Sequence, residues 1–140
     1  NIAVLSSMLS GYAVEHMGFL LHSRTPLMLR KALDGPEDEA QHPLKRPTAK
    51  EVNTFLSIMQ RRRICVLQFM GPSSGTVTLY PMREAEEDER EDEEMERPAE
   101  IKLAAMPGSL VVFLCDQYDF AYNPKDASLV LQAWFLDSPP

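Results

Sequence analysis

Hydrophobic and polar positions follow two rhythms along this chain. Near its start, Val4, Met8, Tyr12 and His16 recur at a helical spacing, while the apolar runs Ser6 to Tyr12 and Met17 to His22 are parted by the polar pair Glu15-His16. One helix or two short strands satisfy that pattern equally. From Asp34 to Arg46 the run DGPEDEAQHPLKR is rich in proline and charge, which predicts a surface loop. A helix is written plainly after it. Thr48 is placed to cap it, Glu51 three residues on completes a capping box, and Val52, Phe55, Leu56 and Met59 form one apolar face that ends at Arg61-Arg62-Arg63.

Beyond the arginines the rhythm becomes extended. Ile64 to Phe69, a turn over Gly71-Pro72-Ser73-Ser74-Gly75, and Thr76 to Tyr80 predict a β-hairpin with a five-residue loop. Glu100 to Ala105 and Leu110 to Cys115 predict two strands joined through Met106-Pro107-Gly108-Ser109, and Ser128 to Leu136 a long closing strand. These strands read as a meander. No helices alternate with them to make the crossovers of a parallel sheet, so the expected fold is mainly β with one or two helices, an antiparallel sandwich or open barrel.

Composition sharpens this in two places. The net charge of −7 belongs to one segment: Glu84 to Arg97 holds ten acidic and two basic residues, a net of −8, leaving +1 for everything else. Like charges repel there and Met95 is its one apolar anchor, so the segment predicts a solvated excursion or, more sharply, a docking site for a basic partner. No broad basic face remains for nucleic acid. Arg61-Arg62-Arg63 is a local cluster that reads as a solvated helix end complementing the helix dipole. Cys65 and Cys115 each sit inside an apolar run and form no CxxC, so they read as buried free thiols, which fits an intracellular or organellar compartment.

At 140 residues the chain fits one domain, residues 1–140, with a loop and helix insertion at 25–62 and the acidic excursion at 84–98. No apolar run is long enough to span a membrane. Asn1 to Leu21 is interrupted by Glu15 and His16 and follows no basic region, so it predicts neither signal peptide nor anchor. An opening on Asn1 and a close on Ser138-Pro139-Pro140 suggest a piece of a longer polypeptide.

Familiar site patterns are missing. There is no GxGxxG and no P-loop, because the turn GPSSG carries no following lysine and precedes a strand. Three histidines and two cysteines lie too scattered for a zinc site, and no nucleophile-elbow motif supports a Ser-His-Asp triad.

Taken in order, however, MLSGYAVEHMGFLLH, RRRICVLQFMGPSSGTVTLYP, PGSLVVFLCDQYDFAYNP and SLVLQAWF resemble the double-stranded β-helix core of prolyl-4-hydroxylase-like 2-oxoglutarate and Fe(II)-dependent dioxygenases. The resemblance implies a jelly-roll-like sandwich. It also implies a facial triad of two histidines and one carboxylate, leaving iron positions open for 2-oxoglutarate and oxygen. His22 falls where the first histidine belongs, but Arg24 stands in place of the carboxylate. Phe120 stands at the second histidine, and Ser128 at the basic residue that grips 2-oxoglutarate, six before Trp134. The four residues are expected to share one barrel mouth as a vestigial pocket.

The resemblance therefore implies no catalytic residue, no metal and no cofactor: a non-catalytic dioxygenase-like domain serving as a binding or scaffolding module for protein partners in a larger assembly. Two alternatives stand beside it. One is an active oxygenase using Fe(II) and 2-oxoglutarate with an unusual ligand set drawn from His22, His16, Asp116 or Asp119. The other is an accessory subunit docking a basic partner through its acidic segment. The closing SLVLQAWFLDSPP also resembles the region preceding the ketosynthase in algal polyketide synthases, which would account for the proline-terminated end; the expected location is intracellular and soluble, the plastid being one organelle it allows.

Overall fold

The computed structural model describes residues 2–33, 35–82 and 99–139. The acidic stretch expected to form an excursion, 84–97, lies outside the described residues.

The opening ambiguity resolves as a helix. Helix α1 (Ile2–Tyr12) runs into a π-helical turn at Ala13–Met17, which stops where Gly18 takes a left-handed conformation (φ +72°) and its N–H bonds back to Ala13 O. The resemblance read this region as a strand ending at His22. The chain is instead helical through Met17 and extended only at β1 (Ser23–Arg24) and β2 (Met28–Lys31). The predicted surface loop contains a short helix, α2 (Pro36–Gln41): Pro36 is preset for the first turn, and Glu37, Asp38 and Glu39 face its positive end. Helix α3 (Ala49–Arg61) follows the capping chemistry, with Glu51 Oε2 accepting from Thr48 N at 2.7 Å and Thr48 Oγ1 accepting from Glu51 N at 3.3 Å.

Six longer strands follow: β3 (Arg62–Pro72), β4 (Gly75–Pro81), β5 (Ile101–Ala105), β6 (Leu110–Leu114), β7 (Tyr118–Pro124) and β8 (Ser128–Leu136). All pairings are antiparallel. One sheet has the order β1-β8-β3-β6, with β2 joining β8 beside β1, and the other has the order β5-β4-β7. The fold is mainly β, an antiparallel sandwich with three α-helices among the described residues.

The expected hairpin is not one. β3 pairs with β6 and β8 while β4 pairs with β5 and β7, so the turn after β3 carries the chain from one sheet to the other. The meander fails for the same reason, because β6, β7 and β8 change sheet at each step. Burial explains this. Leu67 and Phe69 on β3 and Val77 and Leu79 on β4 belong to one core between the sheets, and a flat hairpin would leave one face of each strand in water. Gly75 permits the crossing, since a Cβ there would stand 2.6 Å from Asn123 O.

Strand β3 is apolar on both faces because it serves two cores. Cys65, Leu67 and Phe69 point between the sheets, whereas Ile64 and Val66 point outward and, with Phe135, receive Leu5, Leu9 and Met17 from the N-terminal helical region.

Candidate functional site

The polar corner after β6 is built from turn chemistry. Gln117 N bonds to Leu114 O at 3.3 Å, Cys115 N to Arg63 O at 2.8 Å, and Met82 N to Gln117 O at 2.8 Å. Asp119 Oδ1 accepts from Phe120 N at 2.8 Å, so this carboxylate is already engaged at the head of β7.

Phe120 points between the sheets. Its ring lies 5.4 Å from that of Phe113, and the guanidinium of Arg30 on β2 stands 5.6 Å over it. Arg30 Nη1 donates to Gln132 Oε1 at 3.2 Å, and Gln132 Nε2 approaches Cys65 Sγ at 3.8 Å. On the same face of β8, Trp134 lies opposite Cys65, with the Arg62 guanidinium 6.0 Å over its ring. Arg30 and Gln132 went unmarked in the sequence, while Arg62 was read as part of a solvated helix end and Trp134 only as a landmark of the resemblance. Gln132 had a signal, as the one polar residue inside the run LVLQAWFL.

Both cysteines are free and buried, as their apolar settings predicted. Burial pushes the Cys65 thiol up to about 12, with a further push from Cys115 against opposing help from Trp134, Arg62 and Arg30. Burial likewise pushes Cys115 up to about 11. Neither has thiolate character near neutral pH, so this neighbourhood offers no sulfur nucleophile.

The four residues expected in one mouth are not brought together. Arg24 pairs with Phe135, whose side chain belongs to the outer core under α1, so Arg24 shares that outer face. His22 is exposed, holds Leu136 O through its backbone N–H at 2.9 Å, and lines a small recess with Ser6, Ser10, Arg24 and Phe135. Ser128 is buried at the opposite end of β8, where its Oγ lies 2.7 Å from Tyr122 Oη. Seven residue steps of strand take Ser128 to Phe135, about 23 Å at the usual rise. Phe120 and Ser128 face the space between the sheets, and His22 and Arg24 do not. The reason is that β1 adds to the edge of β8 with Arg24 on the outer face, while His22, just before it, lines the recess beside Ser6 and Ser10 of α1.

The other proposed ligands are equally scattered. His16 is exposed on the π-helical turn, its ring 4.6 Å from that of Tyr12. Among the described residues no three His, Cys, Asp or Glu side chains gather closely enough to hold a metal ion. A phenyl ring has no lone pair to offer a metal ion and here it already carries the Arg30 guanidinium, so the residues present do not suit the iron of the family's facial triad.

The arginine cluster is structural. Arg63 Nε and Nη2 form a fork on Asp137 Oδ2 at 3.0 and 2.7 Å, and Arg61 donates to Asp137 O at 3.0 and 2.7 Å. Arg63 also stands 5.5 Å over Phe19. No helix among the described residues is long and apolar enough to cross a membrane. Comparison of the chain with protein-family models, with curated proteins and with solved structures finds no match.

Proposed function

We propose that the chain is a non-catalytic binding or scaffolding module with a dioxygenase-like fold. Strand pairing supports the double-stranded β-helix part of this reading. A long ribbon folded at its middle and rolled into a jelly roll pairs its first strand with its eighth, third with sixth and fourth with fifth. Those three pairings are present, while β2 joins β8 in place of a pairing with β7.

The observation that carries the non-catalytic part is the Phe120 corner. Where the resemblance calls for a metal ligand there is a ring held between Phe113 and the Arg30 guanidinium, and His22 instead lines the outer recess beside Ser6 and Ser10 of α1. Support for a binding role comes from apolar surface that a lone domain ordinarily covers, namely the exposed face of α3 and the open end of the first sheet's outer face. The partners on this reading are proteins.

Iron titration of the purified chain, followed by an assay for 2-oxoglutarate turnover, tests the assignment. The expected result is no stoichiometric iron and no turnover. Iron at one per chain that is lost in His22→Ala, together with turnover, would establish the oxygenase instead.

A further inference from the structure

The outer face of the first sheet is apolar beyond the part that α1 covers. The register sets Leu29, Leu131, Gln68 and Leu110 side by side across β2, β8, β3 and β6. A solvated sheet face ordinarily alternates to polar, yet Leu29 is 62% exposed and Leu110 43%. Between this row and the first turns of α1 runs an apolar groove of about 350 Å³, to which Leu27 and Met8 also contribute. Four strands present a face roughly 14 Å across, wide enough to seat a helix of about 10 Å diameter.

The same chain carries a helix in want of a seat. Helix α3 is capped and amphipathic, and none of its residues is buried. Val52, Phe55 and Leu56 line its apolar side at the i, i+3, i+4 spacing, and Phe55 is 54% exposed. Lys50 and Arg61 fall on the opposite, polar side of the helical wheel.

Its own sheet is closed to it. Helix α3 ends at Arg61 and β3 begins at Arg62, so no connecting residue allows a reversal. The junction is also fixed: Arg61 donates its guanidinium to Asp137 O, and Asp137 N bonds to Arg61 O at 2.8 Å. Arg62 pairs with Leu136, at the end of the sheet already covered by Leu5, Leu9 and Phe19, and the open row lies five residues farther along β8. A route from the junction to the row would run through α1.

We propose that α3 of one copy seats in the outer-face groove of a second copy and receives that copy's α3 in return, giving a twofold dimer. This rests on the binding-module reading and names its partner. A twofold axis makes the contact twice, so each helix-on-sheet contact need bury only about half of the roughly 1,600 Å² of a standard interface.

The experiment is sedimentation velocity on the whole chain from micromolar to millimolar concentration, with two variants altered only at exposed side chains. These are a helix variant, Phe55→Asp with Leu56→Asp, and a sheet variant, Leu29→Asp with Leu110→Asp. The parent is expected to dimerise. Each variant should weaken dimerisation by at least about a hundredfold, because a carboxylate left unpaired in an apolar contact is strongly disfavoured. An equimolar mixture of the two retains one intact contact of the pair and should sediment partly as heterodimer. Circular dichroism checks that each variant is folded, and Val52→Lys and Leu27→Lys repeat the test where one is not.

A parent that stays monomeric overturns the proposal. So does a dimer that survives either variant, since that contact would be helix on helix or sheet on sheet. The iron and turnover assay answers separately for the module reading, so an inert monomer removes the dimer alone.

Discussion

Tyr122 Oη and Ser128 Oγ meet at 2.7 Å, joining β7 of one sheet to β8 of the other across the core. Ser128 stands where the resemblance called for a cation, and its hydroxyl is spent on this link. Tyr122→Phe leaves that buried hydroxyl without its partner, and an orphaned polar group of this kind costs about 1–3 kcal/mol. Denaturant unfolding should show that loss. The double variant Tyr122→Phe with Ser128→Ala should recover part of it, because both ends are then apolar. Additive losses would show that the two hydroxyls act independently.

The Phe120 corner should not be convertible to a metal site by restoring the missing letters. Phe120→His with Arg24→Asp recreates the resemblance's ligand set with His22, yet Arg24 shares the outer face with Phe135, His22 lines the recess under α1, and residue 120 lies between the sheets. Fe(II) titration followed by calorimetry should give no more binding than the parent. Tight one-to-one binding would mean that the three positions converge.

Asp137 should impose an acid limit on stability. Its carboxyl is held below the usual carboxylate range, first by the Arg63 fork and then by the Ser138 backbone N–H. A depressed folded value means that the contribution is present above the unfolded value of about 4 and is lost as pH falls through the folded one. Melting temperature should therefore fall on acidification below about pH 4. Asp137→Asn should flatten that part of the profile and lower the plateau at neutral pH.

The cysteines set the alkaline limit. With their thiols raised to about 12 and about 11, the folded state disfavours both thiolates. Stability is full below the unfolded value of about 8.5 and is lost as pH rises toward the folded ones. A disulfide reagent at pH 8 should find no reactive thiol in the native chain and two in denaturant. Prompt reaction of the native protein would show that the core between the sheets opens readily.

Elements whose signal is local were legible in the sequence. The Thr48–Glu51 box appears as written, and β8 keeps the expected bounds, Ser128–Leu136. Choice of partner was not legible. The run from Ile64 to Phe69 is apolar on both faces because Ile64 and Val66 serve the outer core while Cys65 and Leu67 serve the inner one, so alternation gave no clue to its neighbours. The site failed at the same step. Motif order aligned His22 with Phe120, but which face a residue takes depends on register, and β1 entered at the edge of β8 with Arg24 facing outward. Arg30 lay in a segment read as insertion, so nothing marked it as the group that would stand over Phe120.

The junction between α3 and β3 has a mechanical side. With no slack between Arg61 and Arg62, and Asp137 clamped across the joint, the helix is a handle welded to an inner strand of the first sheet. Tension applied along α3 would pass straight into β3, whose ladders to β6 and β8 would share it in shear along their length.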